Sequence, residues 1–259
     1  MDQVVDKTFT GEGGVGTQYF GFAIATGDIN NDNFDDIVVS AYKYDASRGR
    51  VYLYYGGTDM DQIADKTFTG EAQGIYYGRD VTTGDVNNDN FDDILVGATY
   101  YDSKRGRAYL YYGGTDMDQI VDKTFTGEAI SNYFGFSVAI DDIDSDNYSD
   151  VVVGADYYNS GQGRVYLYYG GTDMDQIPDK TFTGESGSYF GRRVKTGDIN
   201  NDNYNDIVVG GYQYNSGQGR VYLFYGGVDM DETCDKTFTG ESGAGTQYFG
   251  YAIDIEDIN

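Results

Sequence analysis

The chain contains no histidine in 259 residues. That removes the commonest general base and a frequent transition-metal ligand. A single cysteine, Cys234, cannot form a disulfide within the chain, so cysteine usage assigns no redox compartment. One proline stands against 38 glycines, so the turns must be built from Gly, Asn and Asp. No apolar run approaches the ~20 residues that cross a bilayer as a helix. The opening residues, Met1-Asp2-Gln3-Val4-Val5-Asp6, carry neither a basic region nor an apolar core and do not read as a signal peptide. Positive charge is scarce: 17 basic residues face 43 acidic ones, a formal charge of −26. This argues against a nucleic acid partner, because phosphate binding needs a basic face. It suits solubility, or attraction of cationic partners.

What is abundant is Asp and Asn at a fixed spacing. Oxygen-bearing side chains stand at positions one, three, five and nine of a short loop: Asp28, Asn30, Asp32 and Asp36. The pattern recurs as Asp85, Asn87, Asp89 and Asp93, as Asp142, Asp144, Asp146 and Asp150, and as Asp198, Asn200, Asp202 and Asp206. A fifth copy begins at Asp257 and stops at Asn259. Calcium is a hard cation that takes about six to eight oxygens, and alternate side chains of a tight loop can supply them. Position seven is Phe34, Phe91, Tyr148 or Tyr204, so only its main-chain carbonyl can serve as a ligand. Position six needs a sharp turn and is always Asn (Asn33, Asn90, Asn147, Asn203), a residue that tolerates positive φ. With no His, and no Cys near the loops, zinc and copper are disfavoured. Magnesium usually takes fewer oxygens from protein than these loops offer. The expectation is about four calcium ions per chain. The alternative is an Asx-rich turn without an ion.

The flanks are strands, not helices. Ile37-Val38-Val39, Ile94-Leu95-Val96, Val151-Val152-Val153 and Ile207-Val208-Val209 follow the four loops. Lys-Thr-Phe-Thr-Gly-Glu begins at Lys7, Lys66, Lys123, Lys180 and Lys236. The spacing divides one domain, 1–259, into units at about 7–65, 66–122, 123–179 and 180–235, with a partial unit at 236–259. Four strand runs recur per unit, typified by Phe20 to Thr26, Asp36 to Ala41, Arg50 to Tyr55 and Lys66 to Thr69. Four antiparallel strands per repeat, with no helix pattern between, predict an all-β propeller of four-stranded blades. The second and third runs are apolar at consecutive positions, so both sheet faces should be buried by neighbouring blades. The 28 Tyr and 14 Phe should fill much of the space between them.

These motifs resemble the FG-GAP repeat family, the blades of the integrin α-subunit head. Phe20-Gly21, Phe134-Gly135, Phe190-Gly191 and Phe249-Gly250 match its first element, with Tyr77-Gly78 a near match. Gly97-Ala98 and Gly154-Ala155 match the second, and Ser40-Ala41 and Gly210-Gly211 do so more loosely, always without proline. The resemblance covers essentially the whole chain. It implies a propeller with calcium between the first two strands of each blade, an extracellular or cell-surface location, and a protein or glycan ligand on the opposite face. The family usually has seven blades, so the chain reads as a piece of a larger propeller. Closure with four or five blades, or by two chains, is the alternative.

Two further readings compete with an adhesion module. One is a passive structural repeat of a larger surface protein. The other is a glycan-degrading enzyme using paired carboxylates. Against an enzyme, the clustered carboxylates are assigned to calcium, and Glu12, Glu71, Glu128, Glu185 and Glu241 recur too regularly for a unique active site. The candidate ligand contacts are Tyr42, Tyr44 and Arg48; Tyr100, Tyr101 and Arg105; Tyr157 and Tyr158; Tyr212 and Tyr214. Their competing role is to cap the propeller rim.

Overall fold

The computed structural model describes residues 7–12, 17–243 and 246–255. Sixteen strands form four antiparallel sheets, each in simple sequence order. The first sheet holds β1 (Phe20–Gly27), β2 (Asp36–Ala41), β3 (Arg50–Tyr54) and β4 (Lys66–Thr69). The second holds β5 (Tyr77–Gly84), β6 (Asp93–Ala98), β7 (Arg107–Tyr111) and β8 (Lys123–Thr126). The third holds β9 (Phe134–Asp141), β10 (Asp150–Ala155), β11 (Arg164–Tyr168) and β12 (Lys180–Thr183). The fourth holds β13 (Arg193–Gly197), β14 (Asp206–Gly211), β15 (Arg220–Phe224) and β16 (Lys236–Thr239). Each sheet takes its first three strands from one sequence unit and its fourth from the start of the next.

The core lies between sheets rather than within one. Val38, Val51, Leu53 and Phe68 of the first sheet pack against Tyr77, Val81, Ile94, Val96 and Tyr109 of the second. The same layer recurs between the second and third sheets and between the third and fourth. This is why β6, β10 and β14 are buried at every residue and lack the in-out alternation of a one-sided sheet. The fourth sheet has an uncovered outer face. Phe238 is 50% exposed, whereas its equivalents Phe68, Phe125 and Phe182 are at most 1% exposed.

The two glycine motifs meet where the second sheet packs on the third and the third on the fourth, whereas between the first and second sheets Ser40 stands against Gly78. A Cβ on Gly97 would lie 2.1 Å from the carbonyl oxygen of Gly135, and one on Gly154 would lie as close to that of Gly191. No side chain fits there, so glycine allows the backbone of one blade to rest on the next.

Because the strands are antiparallel, the acidic loop between the first two strands and the Tyr-rich segment between the second and third lie at opposite ends of each sheet. The Tyr-rich segment is not plain loop. Tyr44–Ser47 and its three equivalents, Tyr101–Lys104, Tyr158–Gly161 and Tyr214–Gly217, wind into a tight turn. Its interior residues have positive φ, 45° at Asp45 and 53° at Ala46, so it is not a right-handed helix.

Candidate metal centre

The acidic loops follow one hydrogen-bond plan. In the first, Asp28 accepts from the main-chain N–H groups of Asp32 (3.0 Å) and Asn33 (2.8 Å), one on each carboxylate oxygen. Asp32 accepts from Phe34 N–H at 2.9 Å. The same bonds recur from Asp85 and Asp89, from Asp142 and Asp146, and from Asp198 and Asp202. Position six is left-handed as expected, with φ of 70° or 71° at Asn33, Asn90, Asn147 and Asn203. Position four is left-handed too: Asn31, Asn88, Ser145 and Asn201 have φ of 56° to 61°. Two positive φ values in three residues curl the loop tightly, which the spacing alone did not reveal.

Position nine is different in kind. Asp36, Asp93, Asp150 and Asp206 are fully buried. Asp36 accepts from Ile29 N–H at 3.0 Å and from Gly56 N–H at 2.7 Å, so it ties the acidic loop to the turn after β3. The other three make the same pair of bonds. Burial outweighs these bonds: it pushes the carboxyls of Asp93 and Asp150 up to about 8 and that of Asp36 up to about 6. Asp206 shifts the same way for the same reason.

The third loop carries the clearest cation-binding feature. Carboxylate oxygens of Asp142, Asp144 and Asp146 lie within 4.8 Å of one another. Asp144 Oδ1 is buried without a hydrogen-bond partner. Burial, followed by the charges of Asp146 and Asp142, raises the Asp144 pKa. In the first and fourth loops position three is Asn, whose amide donates to the position-five carboxylate, at 3.1 Å from Asn30 and 2.8 Å from Asn200. Asp144 cannot donate in this way, so a hard cation fits the gap better than any group present. The residues that could hold it are those at positions one, three, five and nine. The fifth copy, Asp257 and Asn259, lies outside the described residues.

Position eight varies in sequence, yet it links neighbouring loops. Asp92 N–H donates to the carbonyl of Asp28 at 3.0 Å, and Ser149 N–H donates to that of Asp85 at 2.9 Å. The Asn205 side chain donates to the carbonyl of Asp142 at 3.1 Å. A tie made largely by the main chain leaves the residue type free, which is why the sequence pattern concealed it.

At the opposite end, the tyrosines divide into two groups. Tyr44, Tyr101, Tyr158 and Tyr214 each lie under the guanidinium of Arg50, Arg107, Arg164 or Arg220, at 3.6 to 3.9 Å. These arginines also pair with Glu12, Glu71, Glu128 and Glu185, and the last three glutamates each tie one blade to the next. Tyr42, Tyr100, Tyr157 and Tyr212 instead alternate with Tyr76, Tyr133 and Tyr189 in one aromatic ladder across all four sheets. Neighbouring ring centres are 4.2 to 5.7 Å apart. Arg48 and Arg105 pair locally, with Asp45 at 3.3 Å and Asp102 at 3.1 Å. The residue before each FG element (Tyr19, Tyr76, Tyr133, Tyr189, Tyr248) has φ between 53° and 58°, a strained setting for a bulky side chain.

Comparison with known proteins agrees with this architecture. The FG-GAP repeat matches residues 20–54, 77–111, 134–168 and 190–224. The chain is 30% identical over 211 residues to Integrin alpha-5 of Xenopus laevis, covering 75% of this chain and 20% of that protein. It is 30% identical over 223 residues to Integrin alpha-8 of Mus musculus, covering 80% and 20%, and 30% identical over 218 residues to Integrin alpha-IIb of Homo sapiens, covering 76% and 20%. The chain thus spans about a fifth of the length of these relatives. Among solved structures, the Dos1 propeller aligns over 85% of this chain and 47% of its own, with a TM-score of 0.52 and 13% identity. The four sheets are propeller blades, and the chain belongs to the FG-GAP repeat family.

Proposed function

We propose that the chain is a calcium-stiffened propeller that presents its tyrosine-lined face to a protein or glycan ligand, as an extracellular adhesion module. The observation that carries the calcium reading is the third loop, where three carboxylates converge and a buried oxygen of Asp144 has no partner. The same loop plan, repeated four times, extends it to about four ions per chain. Asp28, Asn30, Asp32 and Asp36 are the first set of side-chain ligands, with the carbonyl of Phe34 completing the shell. The equivalent carbonyls are those of Phe91, Tyr148 and Tyr204. Calcium supplies folding free energy here, because binding to the folded state alone stabilises it by mass action.

Two features support ligand binding over catalysis. The integrin relatives share the repeat across most of this chain. Four of the five recurrent glutamates, Glu12, Glu71, Glu128 and Glu185, are held by arginines in one repeated structural role. No helix among the described residues is long and apolar enough to cross a membrane.

The test is a thermal melt of the full chain in excess calcium and after metal removal, with bound calcium counted. A marked rise in Tm with about four ions per chain supports the reading. No shift and no bound metal reduce the loops to Asx turns.

A further inference from the structure

The position after each FG element faces the centre of the tyrosine-lined end. There the blades alternate: Phe22, Arg79, Phe136, Arg192, Tyr251. The structure stacks them in that order. The Arg79 guanidinium carbon lies 4.7 Å from the Phe22 ring centre and 4.1 Å from that of Phe136. That of Arg192 lies 4.1 Å from Phe136 and 5.5 Å from Tyr251. A guanidinium held between two rings keeps its N–H groups for hydrogen bonding, and these form a fork matched to a carboxylate.

The two arginines differ in what they have found. Arg192 pairs with the buried Asp156 at 2.9 Å. Arg79 makes no ion pair or hydrogen bond to any described residue. Burial, Arg193 and Arg192 all act to lower its pKa, so it is a half-buried cation beside two others. The nearby carboxylate of Asp80 is taken by Ser137 Oγ and Val138 N–H, both at 3.0 Å. A chain of charge −26 therefore holds an under-neutralised cationic centre on one face.

We infer that the Phe22–Arg79–Phe136–Arg192–Tyr251 stack is a docking site for a protein partner that presents one or two Asp or Glu side chains to Arg79 and Arg192. This rests on the reading that the tyrosine-lined end is the ligand face. Charge complementarity selects the occupant. The cationic centre is small, two guanidiniums held among rings, and so matches one or two carboxylates at contact, while the acidic loops lie at the opposite end of the blades. A sulfated glycan carries charge along its whole length, whereas a peptide loop can present a single carboxylate. The ladder beside the stack packs its rings edge to face, which covers ring surfaces that sugars use and leaves phenol groups for hydrogen bonds.

The test is to pan displayed random heptapeptides against the full calcium-loaded chain, then measure a synthetic enriched peptide on variants. Enriched peptides should carry Asp or Glu, and Arg79→Gln and Arg192→Gln should each weaken binding about tenfold or more, the loss of a charge-assisted bond. Arg193→Gln should weaken it less. Arg79→Lys, which keeps the charge without the fork, should retain part of the affinity and serves if Arg79→Gln does not fold. Enriched peptides without acidic residues, or binding indifferent to all four changes, would overturn the docking site but leave the ligand face standing. Arg79-dependent binding of a heparin fragment, with no acidic peptide enriched, would overturn the choice of a protein partner. Enrichment of no peptide and no heparin binding would sink both the site and the face.

Discussion

The carboxylate of Asp92, in the second acidic loop, accepts a hydrogen bond at 3.0 Å from the main-chain N–H of Asp28, the first residue of the first loop. Neighbouring loops thus share a donor, and the Asp92 N–H returns the bond to the Asp28 carbonyl. Asp92→Ala removes one half of this exchange and leaves the Asp28 N–H without that acceptor. The expected cost is about 1–2 kcal/mol, the price of an unmade bond at a half-buried site. Urea unfolding of the calcium-loaded protein measures it. Because Asp28 is also a candidate ligand, the first loop should lose calcium affinity although the substitution lies in the second.

Asp144→Asn should separate charge repulsion from metal binding. Asn at this position would copy Asn30 and Asn200, donating to the position-five carboxylate. After metal removal the variant is expected to be more stable than the parent, since a buried, partnerless oxygen and a like charge are removed. In calcium the third loop should bind more weakly. Opposite signs of the Tm change in the two conditions would support the site. A fall in both would mean that Asp144 has a purely structural role.

The buried position-nine carboxyls set a pH dependence for the metal-free protein. Asp93 and Asp150 are raised to about 8 and Asp36 to about 6, from an ordinary value of 3.8. Between pH 4 and 8 the folded state therefore holds more protons than the unfolded one, so its stability falls as pH rises. The fall should level off above about pH 8, once the folded carboxyls have ionised. Calcium bound at the proposed sites would take the place of those protons, so the slope should flatten in saturating calcium. Melts of metal-stripped and calcium-loaded protein across this range would show it. A metal-free stability that rises from pH 5 to 8 would contradict the assigned burial.

Much of this was legible in the sequence because it is repeated. The strand runs from Asp36 and Lys66 match β2 and β4, and continuous apolar runs marked sheets buried on both sides. The predicted positive φ of Asn33 and its equivalents follows from what Asn tolerates. Other features depend on contacts between distant residues, which periodicity does not encode. Position eight reaches the neighbouring loop through the main chain at Asp92 and Ser149 but through the side chain at Asn205, so the three share a place without sharing a side chain. Tyr42 and Tyr44 look equivalent in a Tyr-rich segment, yet Tyr44 lies under Arg50 while Tyr42 joins the ladder. The Arg79–Phe136–Arg192 stack assembles residues about 57 positions apart, whose alternation appears only when the repeats are laid side by side.

Glu71 and Glu241 occupy the same place in the repeat but should respond differently to removal. Glu71 ends the first sheet's last turn and reaches the second blade, pairing with Arg107 at 3.2 Å and accepting from Tyr109 Oη at 2.6 Å. The ion pair is half exposed and contributes little by itself. The phenol is buried and depends on this acceptor, so Glu71→Ala should cost about 1.5–3 kcal/mol. Glu71→Gln should cost less, because it keeps an acceptor for Tyr109. Glu241 has neither arginine nor phenol as a partner among the described residues, so Glu241→Ala should stay within about 0.5 kcal/mol of the parent. Denaturant midpoints of the three variants decide the matter. Equal effects at positions 71 and 241 would show that the glutamate stabilises its own turn, whereas a large difference would show that it acts by joining one blade to the next.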